Sequence, residues 1–84
     1  MFYYTYMLKS ISPGYKKTYV GYTNNLELRL DKHNTNKGAK STKGYKWILI
    51  YKRKFKTKSL AMSFEYKLKN NKVLRNKLLE KSIL

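Results

Sequence analysis

The segment TYVGYTNNLELRLDKHN, residues 18–34, gathers a tyrosine-flanked glycine, an arginine and the chain's single histidine. A phenol and an imidazole can pass protons, and a guanidinium can grip an anion in a planar fork. Arg29 and His33 are four residues apart, so on a helix they share one stripe, while Leu26 and Leu30 share another. Plainer readings stand beside this one: a solvated Arg–His pair on a surface helix, and Tyr19 as a half-buried strand residue. Gly21 within a strand marks either a bulge or a close approach of backbone. His33 cannot anchor a zinc site, because the sequence offers no second His and no Cys to complete it.

Only four residues are acidic: Glu27, Asp31, Glu65 and Glu80. Glu27 and Asp31 fall in the first helix, where Glu27 completes a helix cap, and Glu80 lies near the end of the chain. Glu65 sits next to Phe64 and one turn after Ala61, at the border of an apolar stripe. A lone carboxylate there can pair with Lys69 at i, i+4. It can also hold Mg²⁺, which keeps most of its waters and takes phosphate oxygens as further ligands.

The elements that must position these groups follow from pattern. Phe2 to Lys9 and Thr18 to Thr23 are aromatic and β-branched, and Ser12-Pro13-Gly14 supplies a turn between them, so they read as a β-hairpin. Asn24-Asn25-Leu26-Glu27 has the form of a capping box that starts a helix from Leu26 to His33. After the polar loop TNKGAKSTKGYK, the run WILIYKRKF, Trp47 to Phe55, reads as a third strand. A second helix starts near Thr57 or Ser59, with Leu60, Phe64 and Leu68 as its core stripe. Asn70-Asn71 interrupts it, and KVLRNKLLEKSIL reads as a shorter third helix.

Eighty-four residues make one domain with one modest core, burying roughly 60–65% of the unfolded surface. Trp47, the phenylalanines and several of the nine tyrosines must supply that core. With no cysteine, neither disulfides nor thiolate–metal sites can help, and a reducing cytoplasm suits the chain. No segment reaches the ~20 apolar residues of a membrane span. Twenty Lys and Arg give a formal charge of +16. Self-repulsion of that size is best relieved by a polyanion, so nucleic acid, with DNA foremost, is the expected partner. An anionic membrane would call for a basic amphipathic helix or a polybasic tail beside a lipid anchor, and the sequence carries no anchor signal.

The order Tyr4-Thr5-Tyr6, then Tyr19-Val20-Gly21, then Arg29 and His33, then Glu65 resembles the GIY-YIG nuclease domain. The likeness is greatest to small stand-alone bacterial members and the structure-selective branch, in which YVGYT leads into an R-x-x-x-H-N helix, here Arg29 to Asn34. GAKSTKGYKW and FKTKSLAMSFEYKLK also look like that subfamily, so the resemblance covers nearly the whole chain. The first motif keeps only its tyrosine, Tyr6. Three late asparagines, Asn70, Asn71 and Asn76, compete for a family position near the site, and none is assigned.

The resemblance implies an α/β domain of the α+β kind, residues 1–84, with a small antiparallel three-stranded sheet flanked by helices. It implies a divalent-metal-dependent endonuclease acting on DNA, structure-selective in repair or recombination, or else a nucleic-acid-binding module that kept the fold. Within it Tyr19 is the general base, its phenolate stabilised by nearby cations, and Tyr6 orients Tyr19. Arg29 stabilises phosphate charge, His33 hydrogen-bonds in the tyrosine network, and Glu65 holds Mg²⁺ or Mn²⁺ on the leaving-group side. A zinc-binding targeting module is absent from the sequence, so a protein partner is expected to supply substrate choice.

Overall fold

The computed structural model of the protein describes residues 1–11 and 17–82. The expected turn at Ser12-Pro13-Gly14 lies outside them. Strands β1 (Tyr3–Ser10) and β2 (Thr18–Thr23) lead to helix α1 (Leu26–Asn34), and a 3₁₀ turn (Lys40–Thr42) leads to β3 (Trp47–Phe55). Helices α2 (Lys58–Lys69) and α3 (Lys72–Lys81) follow. The three strands form one antiparallel sheet in the order β2-β1-β3. This is the expected α+β architecture.

The central strand is covered on both faces, which is why Thr5, Tyr6, Met7 and Leu8 are buried in succession. Side chains alternate along a strand, so two cores result. Tyr6, Leu8 and Trp47 pack with Tyr19, Leu26 and Leu30 beneath α1. Met7, Val20 and Leu68 pack with Ile50, Phe64, Leu74 and Leu78 beneath α2 and α3.

Between Met7 and Leu8 the β1–β3 register slips, so that Met7 faces Tyr51 whereas Leu8 faces Leu49. This bulge at Ile50 puts Ile50 and Tyr51 against the same core while Leu49 joins the other. It explains the continuous apolar run WILIY on an edge strand, where strict alternation would have been expected.

Three expectations about packing need correction. Leu60 is 53% exposed, and Ala61 is fully buried in its place. The small side chain lets α2 approach β1 closely enough for the Thr5 hydroxyl to donate to the Ala61 carbonyl at 2.7 Å. Phe2 is exposed rather than core, with the Lys54 ammonium 3.9 Å from its ring centroid. The N-cap of α1 is Asn25, whose side chain accepts from the Leu28 amide at 3.1 Å, so Glu27 lies in the first turn without closing a reciprocal box. Its charge still favours the positive end of the helix.

Candidate active site

β1 and β2 pair so that Tyr6 stands opposite Gly21. A Cβ at Gly21 would lie 2.6 Å from the Tyr6 hydroxyl and 3.0 Å from the Tyr19 ring, so of its two readings the close approach holds. Glycine lets both phenols converge where α1 and α2 meet the sheet. There they border a cleft of about 390 Å³, also lined by Gly21, Arg29, Lys32 and Glu65.

Arg29 reaches Tyr6 from the cleft side, its Nε–H donating to the phenol oxygen at 3.2 Å. From behind, His33 Nε2 lies 2.9 Å from the same oxygen. The shared stripe of Arg29 and His33 therefore closes on one hydroxyl. His33 is fully buried, not solvated on a surface helix, and its ring centroid stands 4.7 Å from that of Tyr19. The Tyr6 and Tyr19 rings are 6.3 Å apart and tilted by 38°.

Burial and the neighbouring Arg29 charge push the His33 pKa down from 6.5 to about 4, so the ring is neutral near pH 7. Burial raises the Tyr6 phenol to about 12 against the opposing pull of its Arg29 hydrogen bond. Tyr6 therefore keeps its proton. The Arg29 guanidinium is held above its ordinary pKa, chiefly by its bond to Tyr6 and to a lesser degree by Tyr19.

Glu65 reaches the cleft from α2 and pairs with Lys69 at 3.5 Å, so both of its expected settings coexist. Its side chain is only 19% exposed. Among the described residues no three His, Asp or Glu gather as a metal cluster. A single accessible carboxylate beside phosphate-binding cations nevertheless suits Mg²⁺ or Mn²⁺, which complete their shells with water and substrate oxygens. Asn70 and Asn71 are occupied elsewhere, the first bonded to the Tyr66 carbonyl at the end of α2 and the second capping α3. Asn76 is exposed on α3.

A family model described as the GIY-YIG catalytic domain matches residues 2–78. The chain belongs to the GIY-YIG family. It is similar to the UPF0213 protein of Oceanobacillus iheyensis, with 46% identity over 79% of this chain and 74% of that one. A UPF0213 protein of Staphylococcus haemolyticus is 48% identical over 61% of this chain, and this chain covers 63% of its length. The solution NMR structure of a UPF0213 protein from Bacillus halodurans is similar at 32% identity, covering 96% of this chain and 84% of that one, with a TM-score of 0.49. Membership of this family supports a nuclease-type function with a nucleic-acid substrate. No helix among the described residues is long and apolar enough to cross a membrane.

Within this GIY-YIG domain, three residues that spacing alone had not marked hold the site from behind. Thr42 Oγ1 lies 3.0 Å from His33 Nδ1. Gly38 packs so closely that a Cβ would stand 2.5 Å from the same nitrogen. Asn34 clamps the start of β3, accepting from the Trp47 amide at 2.7 Å and donating to the Trp47 carbonyl at 3.1 Å. Asn34 closes the R-x-x-x-H-N pattern, and Gly38 and Thr42 fall within GAKSTKGYKW, which marks the loop but gives neither residue a role.

Proposed function

We propose that this protein is a divalent-metal-dependent endonuclease that hydrolyses phosphodiester bonds of DNA. The observation that supports the reading most is the convergence of Tyr19, Arg29 and Glu65 on one cleft in a strongly basic chain. In this mechanism Tyr19 acts as its phenolate: a water oxygen attacks phosphorus, the water proton passes to the Tyr19 oxygen, and the bond to the leaving sugar oxygen breaks in line. Arg29, anchored through Nε by Tyr6, offers its terminal nitrogens to the charge spread over the phosphate. Tyr6, protonated and committed behind the cleft, fixes Arg29 and leaves proton removal to Tyr19. Glu65 would hold Mg²⁺ or Mn²⁺, which when bound offsets developing charge on the leaving oxygen.

Residues 1–84 act in this reading as a single nuclease domain of the reducing cytoplasm, and a protein partner directs it to branched or flapped DNA in repair or recombination. A second reading, a nucleic-acid-binding module that does not cut, draws on the Glu65–Lys69 pair, which leaves the carboxylate partly neutralised.

Incubation with supercoiled plasmid and a panel of branched DNAs, in Mg²⁺, Mn²⁺ or chelator, separates the two. Cleavage in metal that ceases in chelator is expected. Glu65→Gln should abolish it while DNA affinity in chelator stays equal or rises slightly, because a negative charge is lost. Binding without cutting in every condition would establish the module reading, and full activity of Glu65→Gln would place the metal elsewhere.

A further inference from the structure

Behind the cleft runs a single file of hydrogen bonds. Arg29 Nε stands 3.2 Å from the Tyr6 oxygen, Tyr6 2.9 Å from His33 Nε2, His33 Nδ1 3.0 Å from Thr42 Oγ1, and Thr42 Oγ1 2.8 Å from the Ala39 carbonyl. Tyr6, His33 and Thr42 are sealed from solvent, so solvent cannot stand in for a missing partner.

Both ends of the file run one way. A carbonyl only accepts, so the single Thr42 proton goes to Ala39, and the contact with His33 must be Nδ1–H donating to Thr42. A guanidinium only donates, so Tyr6 accepts from Arg29, and once His33 Nε2 is bare the Tyr6 proton goes to it. The Thr42 end thus assigns the imidazole one proton, on Nδ1, and the Tyr6 end accommodates it. The depressed pKa of the ring agrees. The opposite tautomer would set a bare Nδ1 against the Thr42 lone pairs 3.0 Å away and leave a buried acceptor without a donor.

We infer that Thr42 is a positioning residue: its hydroxyl, oriented by the Ala39 carbonyl, holds His33 as the Nδ1–H tautomer and so turns the Tyr6 proton away from the cleft. The Tyr6 oxygen then presents only lone pairs toward Arg29. This gives the loop GAKSTKGYKW a task, and the structure holds it in place from several sides. Gly38 lets the backbone close on the imidazole, Trp47 Nε1–H donates to the Thr42 carbonyl at 3.0 Å, and Asn34 fastens β3 to α1.

The catalytic half of the inference rests on the nuclease reading, whereas the tautomer does not. Since His33 is the only histidine, the ¹⁵N ring spectrum of the intact protein carries one imidazole. At neutral pH the wild type should show Nδ1 protonated and Nε2 bare. Thr42→Val, which keeps the shape and loses the hydroxyl, should populate the Nε2–H tautomer and lower kcat roughly tenfold, the rate equivalent of one lost buried hydrogen bond, with KM unchanged. Thr42→Ser should restore both. A wild-type ring protonated on Nε2 overturns the inference with no variant required. So does a Thr42→Val protein that keeps the Nδ1–H ring and full kcat. A wild type that binds DNA without cutting would sink the nuclease reading, and the spectrum would still decide the tautomer.

Discussion

The two faces of β1 are built on different rules. Beneath α2 and α3, Met7, Val20 and Leu68 meet hydrocarbon with hydrocarbon, and the main polar contact there is the Thr5 hydroxyl on the Ala61 carbonyl. Beneath α1, the same strand buries a phenol against an imidazole and a hydroxyl, each with its proton committed. Apolar packing is non-directional and tolerates exchange of similar volumes. A sealed polar file tolerates none, because each member is the only partner of the next. One face thus supplies stability, and the other trades some stability for the orientation of groups at a cleft.

The sharpest way to break this division is at Tyr19, which belongs to the polar face by position but packs like a core residue. Tyr19→Phe keeps the ring and removes the oxygen. If Tyr19 takes the proton of the attacking water, the cleavage rate should fall by about 10²- to 10⁴-fold with little change in unfolding midpoint. Near-normal cutting by a folded Tyr19→Phe protein would make Tyr19 a packing residue and leave the cleft without its base.

The opposite experiment is on the apolar face. Leu68 is fully buried, and Leu68→Ala should cost about 2–5 kcal/mol of folding free energy, read as a lower denaturant midpoint. Measured where the variant is still folded, its kcat should match the wild type. A fall in kcat without loss of structure would mean that the two faces communicate, and the division would fail.

The division also explains what could be read in advance. Helix spacing brought Arg29 and His33 onto one stripe, the border of the α2 stripe located Glu65, and a glycine between two tyrosines marked Gly21 as either a bulge or a close approach. Each is a local feature, visible within four residues. Thr42 has no such signature, since its value comes from a loop folding back nine residues onto His33. The burial of His33 was equally hidden, because what seals it is Gly38 and the 3₁₀ turn rather than its own helix. The α2 stripe was placed on Leu60 because hydrophobicity outweighed size in the pattern. In the fold, size decided, and Ala61 fits where Leu60 would hold the helix off the sheet.

The smallest effect expected is also confined to the polar face. The imidazole of His33 has a pKa of about 4 in the folded protein against 6.5 in a free chain. Between those values the unfolded chain binds more protons than the folded one, so stability should be constant above pH ~6.5 and fall as the pH is lowered toward 4. The loss should reach roughly 2–3 kcal/mol, or about 10–20 °C in Tm for a domain of this size. His33→Gln removes the titrating group, so its stability should be nearly flat between pH 6.5 and 5, while Leu68→Ala should be less stable throughout yet keep the wild-type slope. Thermal unfolding of the three proteins across that range decides the matter. A wild type with no slope there would mean that His33 accepts its proton without disturbing the fold, and the file behind the cleft could not be as closed as its geometry requires.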